Sequence, residues 1–138
     1  MILLDTNVIS ELMRPRCSQH VFDWVAGQPR ASLVTSSVVH AEILYGLSIM
    51  PGGEKRRSRI AVAANIFAEF AAVLPFTADA ATAYAEIARN RRAIGRPLEG
   101  FDGLIAATAL TAGAQLATRN VADFEDCGLA VINPWETA

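Results

Sequence analysis

Three acidic residues, far apart in the chain, stand in apolar surroundings where an unanswered carboxylate is costly. Asp5 follows Ile2, Leu3 and Leu4 and precedes Thr6 and Asn7. Glu42 has Val38, Val39, Tyr45 and Gly46 as its helical neighbours, with Ile43 and Leu44 beside it, so it reads as part of an apolar helix stripe. Asp102 heads a helical pattern of Ile105, Ala106, Ala109 and Leu110. Each acid also has an ordinary structural reading. Asp5 suits a turn or helix cap, Glu42 a core ion pair with an arginine, and Asp102 an acid favoured by a helix dipole. Their similarity as a set points elsewhere. Three carboxylates brought together repel one another, and a hard divalent cation resolves the repulsion. Oxygen-only ligation favours Mg²⁺ or Mn²⁺ over zinc. Such an ion can activate water and steady a phosphoryl transition state. A further polar group, Thr118, Arg119, Asn120 and Asp123, also follows an apolar run.

These residues need elements to carry them. The opening run reads as a short buried strand ending at Asp5, followed at once by a helix with Val8, Ile9, Leu12 and Met13 at helical spacing. Asp5 then sits at the carboxyl end of a parallel strand, where open α/β sheets bind ligands. Ser18 opens a second helix that ends near Gly27. Residues 31 to 36 read as a strand, and Ser37 as the cap of a helix ended by Pro51-Gly52-Gly53. Glu54 to Leu74 is a long helical stretch, and Val73 to Phe76 a third strand. Thr77 caps a helix to about Ile94, a loop holds Pro97, and Phe101 to Thr111 is a compact helix stopped at Gly113. Gln115 to Thr118 and Leu129 to Ile132 complete five strands, with a helical turn or loop from Asn120 to Cys127. Strands alternating with helices predict a parallel α/β sandwich.

Composition sets limits. The chain of 138 residues fits a single domain, residues 1–138, with a real core. It is 52% hydrophobic and 19% charged, with a formal net charge of −2, so the surface as a whole does not attract polyanions. Its basic residues are eleven arginines and one lysine, Lys55. Arginine suits bidentate phosphate contacts, but arginine-rich usage also follows genomic bias. Cys17 and Cys127 have no metal spacing and form no disulfide framework, which points to a reducing cytoplasm. The apolar start ends at an aspartate after three residues, unlike a signal peptide, and no apolar run is long enough to span a membrane. His20 and His40 fit neither a zinc nor a triad pattern and read as surface or helix-face residues. No GxGxxG or Walker loop is present.

The segments MILLDTNVISEL, SSVVHAEILYGL, DGLIAATA and LATRNVADFE, with the terminal VINPWE, resemble the PIN-domain family along nearly the whole chain. The branch they look most like is that of the VapC-type toxins, particularly FitB-like proteins. The resemblance implies a PIN-like three-layer sandwich, with a central parallel sheet of about five strands and helices on both sides. It implies a Mg²⁺- or Mn²⁺-dependent endoribonuclease, usually a homodimer. Its implied partners are RNA, as substrate, and a cognate antitoxin, through which alone it meets DNA. Asp5, Glu42 and Asp102 carry over as the acidic triad. Thr6 and Asn7 would orient Asp5, and Thr118 would supply a supporting hydroxyl. The family's fourth acid often stands where this chain has Asn120, which brings no charge. Asp123 either substitutes for it or caps a helix.

Arg89, Arg92 and Arg96 fall near one helical face, with Arg91 beside them, and precede Asp102. They read either as a phosphate-holding stripe beside the acidic pocket or as a solvated helix end. Trp24, Leu47, Ile49, Met50 and the helix from Ile60 to Ala72 offer more apolar surface than one small core needs. This predicts a symmetric homodimer using part of the helices from 37 to 72. Two function classes stay open: a metal-dependent ribonuclease toxin, or a weakly catalytic or non-catalytic PIN subunit of an antitoxin-containing DNA-binding repressor complex. A haloacid-dehalogenase-type phosphatase also starts from an aspartate after an apolar strand, but it usually wants a second aspartate where this chain has Asn7.

Overall fold

Ile2, Leu3 and Leu4 have no polar face to turn to water, so the stable place for them is the middle of a sheet covered on both sides. They form β1 (Ile2–Leu4), and Leu3 and Leu4 are fully buried there. Burial of such side chains contributes about 1.5–3 kcal/mol each. The computed structural model describes all residues, 1–138. After β1 come helices α1 (Thr6–Met13) and α2 (Gln19–Ala26), strand β2 (Leu33–Ser36), and helices α3 (Ser37–Ser48) and α4 (Glu54–Glu69). Strand β3 (Ala72–Leu74) and helices α5 (Ala78–Ala93) and α6 (Asp102–Ala112) follow. Strands β4 (Gln115–Ala117) and β5 (Val131–Ile132) close the chain, joined by a 3₁₀ turn at Val121–Phe124.

All strand pairings are parallel, and the sheet order is β3-β2-β1-β4-β5. Helices lie on both sides, and the architecture is the expected α/β sandwich. From β1 the chain builds outward to β2 and β3 on one side, then crosses to β4 and β5 on the other. The order therefore reverses between β1 and β4, and the carboxyl ends of strands at such a switch leave a crevice. The register sets Leu4 opposite Ala117, and the Asp5 N–H donates to the Ala117 carbonyl at 2.9 Å. Asp5 and Thr118 thus leave neighbouring strands at the same level.

Several boundaries differ from the sequence reading. β2 starts at Leu33, because Arg30–Ser32 forms a 3₁₀ turn. The cap of α3 is Ser36, whose Oγ accepts from the Val39 N–H at 3.1 Å, one residue earlier than expected. α4 stops at Glu69 because the chain must extend to pair as β3, where the Ala71 N–H donates to the Leu33 carbonyl at 2.9 Å. Thr118 lies just beyond β4, although its N–H still donates to the Ile132 carbonyl at 2.9 Å. α6 ends where expected: Gly113 takes φ +68°, the left-handed conformation that closes a helix and that glycine adopts without penalty.

The helices differ in what they pack against. α5 packs along α6, while α1 packs against α2, α3 and α4. Leu47, counted in the sequence as a dimer-surface residue, is buried in the core, and Trp24 and Met50 are half-buried against it. The large apolar residues exposed on α3, α4 and the turn after α3 are Leu44, Tyr45, Ile49 and Ile60. His40 stacks on Phe67 with ring centroids 4.2 Å apart, which gives it a packing role. No helix is long and apolar enough to cross a membrane.

Candidate active site

Asp5 is a helix cap and a cleft carboxylate at once. Its backbone is extended, its Oδ1 accepts from the Thr6 N–H at 2.8 Å, and α1 starts there. Its Oδ2 accepts from the Thr118 hydroxyl at 2.8 Å and from the Asn7 amide at 3.2 Å. Thr118 is fully buried, and its single proton is committed to Asp5. Its oxygen accepts in turn from the Asn7 amide at 3.1 Å and the Asn120 N–H at 3.2 Å. The Asn7 carbonyl oxygen then accepts from the Arg119 N–H at 3.1 Å. Residues from two strand ends are thereby fixed around one carboxylate. Asp5 is only 4% exposed, and burial raises its pKa despite the bonds from Thr118, Thr6 and Asn7.

Glu42 reaches the same place from α3. Its Oε1 accepts from the Thr6 hydroxyl at 2.9 Å, so Thr6 touches both acids through different atoms. The buried stripe of α3 is Val39, Ile43 and Leu47, whereas Leu44 and Tyr45 are exposed. Glu42 therefore borders the apolar stripe, where it meets the cleft, and does not lie within it. Burial raises its pKa, the Thr6 bond opposes the rise, and the Asp5 charge adds to it. Asp102 stands at the first turn of α6 and is half-buried. Its pKa is pushed up to about 6, first by burial and then by the charges of Asp5, Asp123, Glu42 and Glu99.

The three carboxylates line one cleft of about 430 Å³, together with Asn7, Asn120 and Arg119. None of them is in an ion pair with a cationic side chain. No three acidic, histidine or cysteine groups stand close enough to ligate a single ion directly. The donor set is oxygen-only, crowded and uncompensated. That suits a hard ion such as Mg²⁺, which binds through one or two carboxylates and keeps several waters.

The polar group after β4 divides. Asn120 lines the main cleft. Asp123 is exposed and lines an adjoining polar cavity of about 320 Å³, which Asp102 also borders. The arginines of α5 divide too. Arg89 and Arg92 are exposed. Arg96 lies beyond the end of α5 and is already engaged, with Nη1 on the Glu125 carboxylate at 2.7 Å and Nη2 on the Ala122 carbonyl at 2.9 Å. Arg91 turns inward, is 4% exposed, and donates from Nη1 to the Glu125 carbonyl at 2.7 Å. Arg91 and Arg96 thus clasp the turn that carries Asp123.

Sequence reasoning passed over Ser10, Glu11, Arg14 and Trp135 as cleft residues, although all four line it. Glu11 was legible: it is one helical turn beyond Asn7 on α1. It is buried, and its carboxylate accepts from the Ser18 N–H at 3.1 Å. The inward turn of Arg91 was legible as well, since it continues the stripe of Ala80 and Ile87. Nothing in the sequence brings Trp135 to the cleft, because only the fold returns the C-terminal segment to β1.

The family model described as the PIN domain matches residues 2–127. Among curated relatives, plasmid stability protein StbB of Pseudomonas syringae pv. tomato is 44% identical, with 99% of each chain covered. VapC ribonuclease Y4jK of Sinorhizobium fredii is 39% identical, with both chains covered completely. Toxin FitB of Neisseria gonorrhoeae is 35% identical over 98% of this chain and 99% of its own. Among solved structures, FitAB bound to an IR36 DNA fragment matches with a TM-score of 0.91 and 33% identity, covering 100% of this chain and 98% of that one. Matched from β1 through the turn that carries Asp123, and alike in fold and full length to these relatives, the chain belongs to the PIN-domain family.

Proposed function

We propose that this protein is a Mg²⁺- or Mn²⁺-dependent endoribonuclease that hydrolyses RNA phosphodiester bonds as the toxin of a toxin–antitoxin pair. The observation that carries this reading is the convergence of Asp5, Glu42 and Asp102 on one cleft with no cationic side chain paired to any of them. The names ribonuclease and toxin among its full-length relatives support it. Asp5, Glu42 and Asp102 would hold the ion, one or two of them directly and the rest through its waters. Mg²⁺ or Mn²⁺ bound there supplies a Lewis acid for the attacking water and for the phosphoryl oxygens. The chain's own contribution is position. Thr118, Asn7 and the Thr6 N–H keep Asp5 in one rotamer, and the Thr6 hydroxyl keeps Glu42 beside it. Asp102, at the first turn of α6, brings the third carboxylate to the cleft.

The same reading includes a cognate antitoxin as inhibitor, DNA contact only through that antitoxin, and a cytoplasmic site of action. It includes a symmetric homodimer using the face of Leu44, Tyr45, Ile49 and Ile60. Light scattering at high micromolar concentration should give the dimer mass, and a monomer there overturns that part. The central test is cleavage of single-stranded RNA. Cuts should appear with Mn²⁺, vanish on chelation, and be lost in Asp102→Asn. Cleavage that survives both chelation and the substitution overturns the reading. A second reading, a weakly catalytic subunit of a DNA-bound repressor, is favoured by Asn120, which lines the cleft without a charge. It predicts repressor assembly with the antitoxin and no detectable cutting in the parent protein.

A further inference from the structure

Trp135 is the single hydrophobic side chain lining an otherwise polar cleft. The Arg119 guanidinium carbon lies 4.9 Å from the centre of its ring, and Arg119 has no ion-pair partner. We propose that Arg119 and Trp135 form a stacking platform for an unpaired base beside the scissile phosphate. The proposal rests on the RNA-cutting reading of the same cleft.

The first argument is electrostatic. A cleft walled by Asp5, Glu42 and Asp102, none of them in an ion pair, repels a polyanion unless something other than phosphate attraction also holds the strand. A flat π-surface does this without sequence preference, because every base has a face to stack on an indole ring or a guanidinium plane. A cation over the ring adds attraction for the neighbouring phosphate. Bases inside a duplex have no free face to offer, so the platform favours unpaired nucleotides.

The second argument is rigidity. The backbone N–H of Trp135 donates to the Asn133 side-chain oxygen at 3.0 Å, and Pro134 between them is buried. The Arg119 N–H donates to the same Asn7 side chain that donates to Asp5. The backbone that carries Arg119 therefore belongs to the same hydrogen-bonded frame as the carboxylate. The arginines at the end of α5 are less suited to holding a base, since Arg91 is buried and Arg96 is spent on Glu125 and Ala122. The competing account is that the cation–π contact only anchors the C-terminal segment.

Trp24→Phe leaves Trp135 as the only tryptophan of the two in the chain. In that protein, with Glu42→Gln added to stop cutting and Mg²⁺ present, a short single-stranded oligoribonucleotide should quench the indole fluorescence. The same strand annealed to its complement should leave it nearly unchanged. In cleavage assays, Trp135→Ala and Arg119→Ala should each raise KM roughly tenfold with kcat nearly unchanged, and Trp135→Phe should restore most of the loss. Arg119→Ala keeps the test valid if Trp135→Ala fails to fold. If the parent cuts RNA, yet no quenching occurs and Arg119→Ala, with Trp135→Ala where it folds, keeps the parent KM, the platform is wrong and the pair only anchors the tail. If no divalent ion supports cutting but single strands still quench, the platform stands and the nuclease reading falls.

Discussion

The two walls of the cleft are held by different physics. Asp5 is fixed by hydrogen bonds: donors from Thr6, Asn7 and Thr118 converge on its two oxygens, and Thr118 is itself saturated. Asp102 accepts no hydrogen bond that offsets its burial, and that burial, followed by the charges of four neighbouring acids, pushes its pKa up to about 6. What fixes Asp102 is packing. Gly103, the next residue, brings α6 so close to α5 that a Cβ there would stand 2.6 Å from the Tyr84 ring. One wall is a finished network that stabilises the fold without an ion. Burial disfavours the charge on both carboxylates, but only at Asp5 do hydrogen bonds offset part of it. The difference separates the positioning half of the site from the half that waits for a cation.

The largest test acts on the waiting half. Mn²⁺ should stabilise the parent by about 2.7 kcal/mol at a hundred times its dissociation constant. For a domain of this size that is a rise in melting temperature of roughly 5–11 °C. Asp102→Asn keeps size and removes one of the crowded charges. Without metal, the variant should be as stable as the parent or more so, by on the order of 1 kcal/mol. With Mn²⁺ it should lose most of the rise, and most of the RNA cleavage with it. A variant that melts lower than the parent and still cuts at the parent rate would make Asp102 a structural acid. Thermal melts with and without the ion decide between the two.

Thr118→Val acts on the finished half. Valine matches the shape but removes the donor to Asp5 and the acceptor for Asn7 and the Asn120 N–H, all at a buried position. Leaving such groups unpaired costs about 1–3 kcal/mol. The loss should appear in metal-free protein and persist with Mn²⁺, unlike the effect of Asp102→Asn. A melt within error of the parent would show that water replaces the hydroxyl and that the network is not what holds Asp5.

Packing gives a smaller test. Gly103→Ala forces the Tyr84 ring and the Leu98 methyl, 3.0 Å from the added carbon, to yield. Tyr84 is partly exposed and can turn outward, so the cost should stay near the lower end of overpacking, about 1 kcal/mol. Removing the ring by Tyr84→Ala in the same protein should relieve that added strain. If Gly103→Ala instead matches the parent in stability and metal response, close packing is not what sets the Asp102 wall.

These walls were unequally legible in the sequence. The apolar run of Ile2–Leu4 ending in Asp5-Thr6-Asn7 shows a buried strand turning into a helix, because each step is local: β-burial, then a cap, then helical spacing. Asp102 at the head of an alanine-rich helix is local as well. Glu42 was misjudged in its surroundings because the apolar residues of α3 run around the helix, and only tertiary contact decides that Val39 is buried while Leu44 and Tyr45 are not. Arg96 looked free because its partners in the Ala122–Glu125 turn are almost thirty residues away. Trp135 was invisible as a cleft residue for the same reason: its neighbours there, Asp5 and Arg119, are set by the pairing of β5 with β4 and of β4 with β1.

The smallest predicted effect is the pH dependence of the metal-free protein, and its sign follows from the Asp102 wall. In the unfolded chain Asp102 titrates near 3.8, and in the folded one at about 6. Between these values the folded state binds more protons, so stability falls as pH rises. The contribution is fully present below about pH 4 and is gone once pH has passed through about 6. Asp5 and Glu42, both raised by burial, act in the same direction. Asp102 is half-exposed, so solvent screening keeps the change well below what the shift alone would give. Mn²⁺ needs the ionised carboxylates, so its stabilising effect should run the opposite way, weak near pH 5 and full above pH 7. Asp102→Asn should flatten the metal-free profile, whereas Thr118→Val should leave Asp102 to titrate as before. Melting temperatures of the three proteins from pH 4 to pH 8, each with a chelator and with Mn²⁺, measure this directly. A metal-free parent that grows steadily more stable across that range would mean the carboxylates are answered by charges already in the fold, with no place left for the ion.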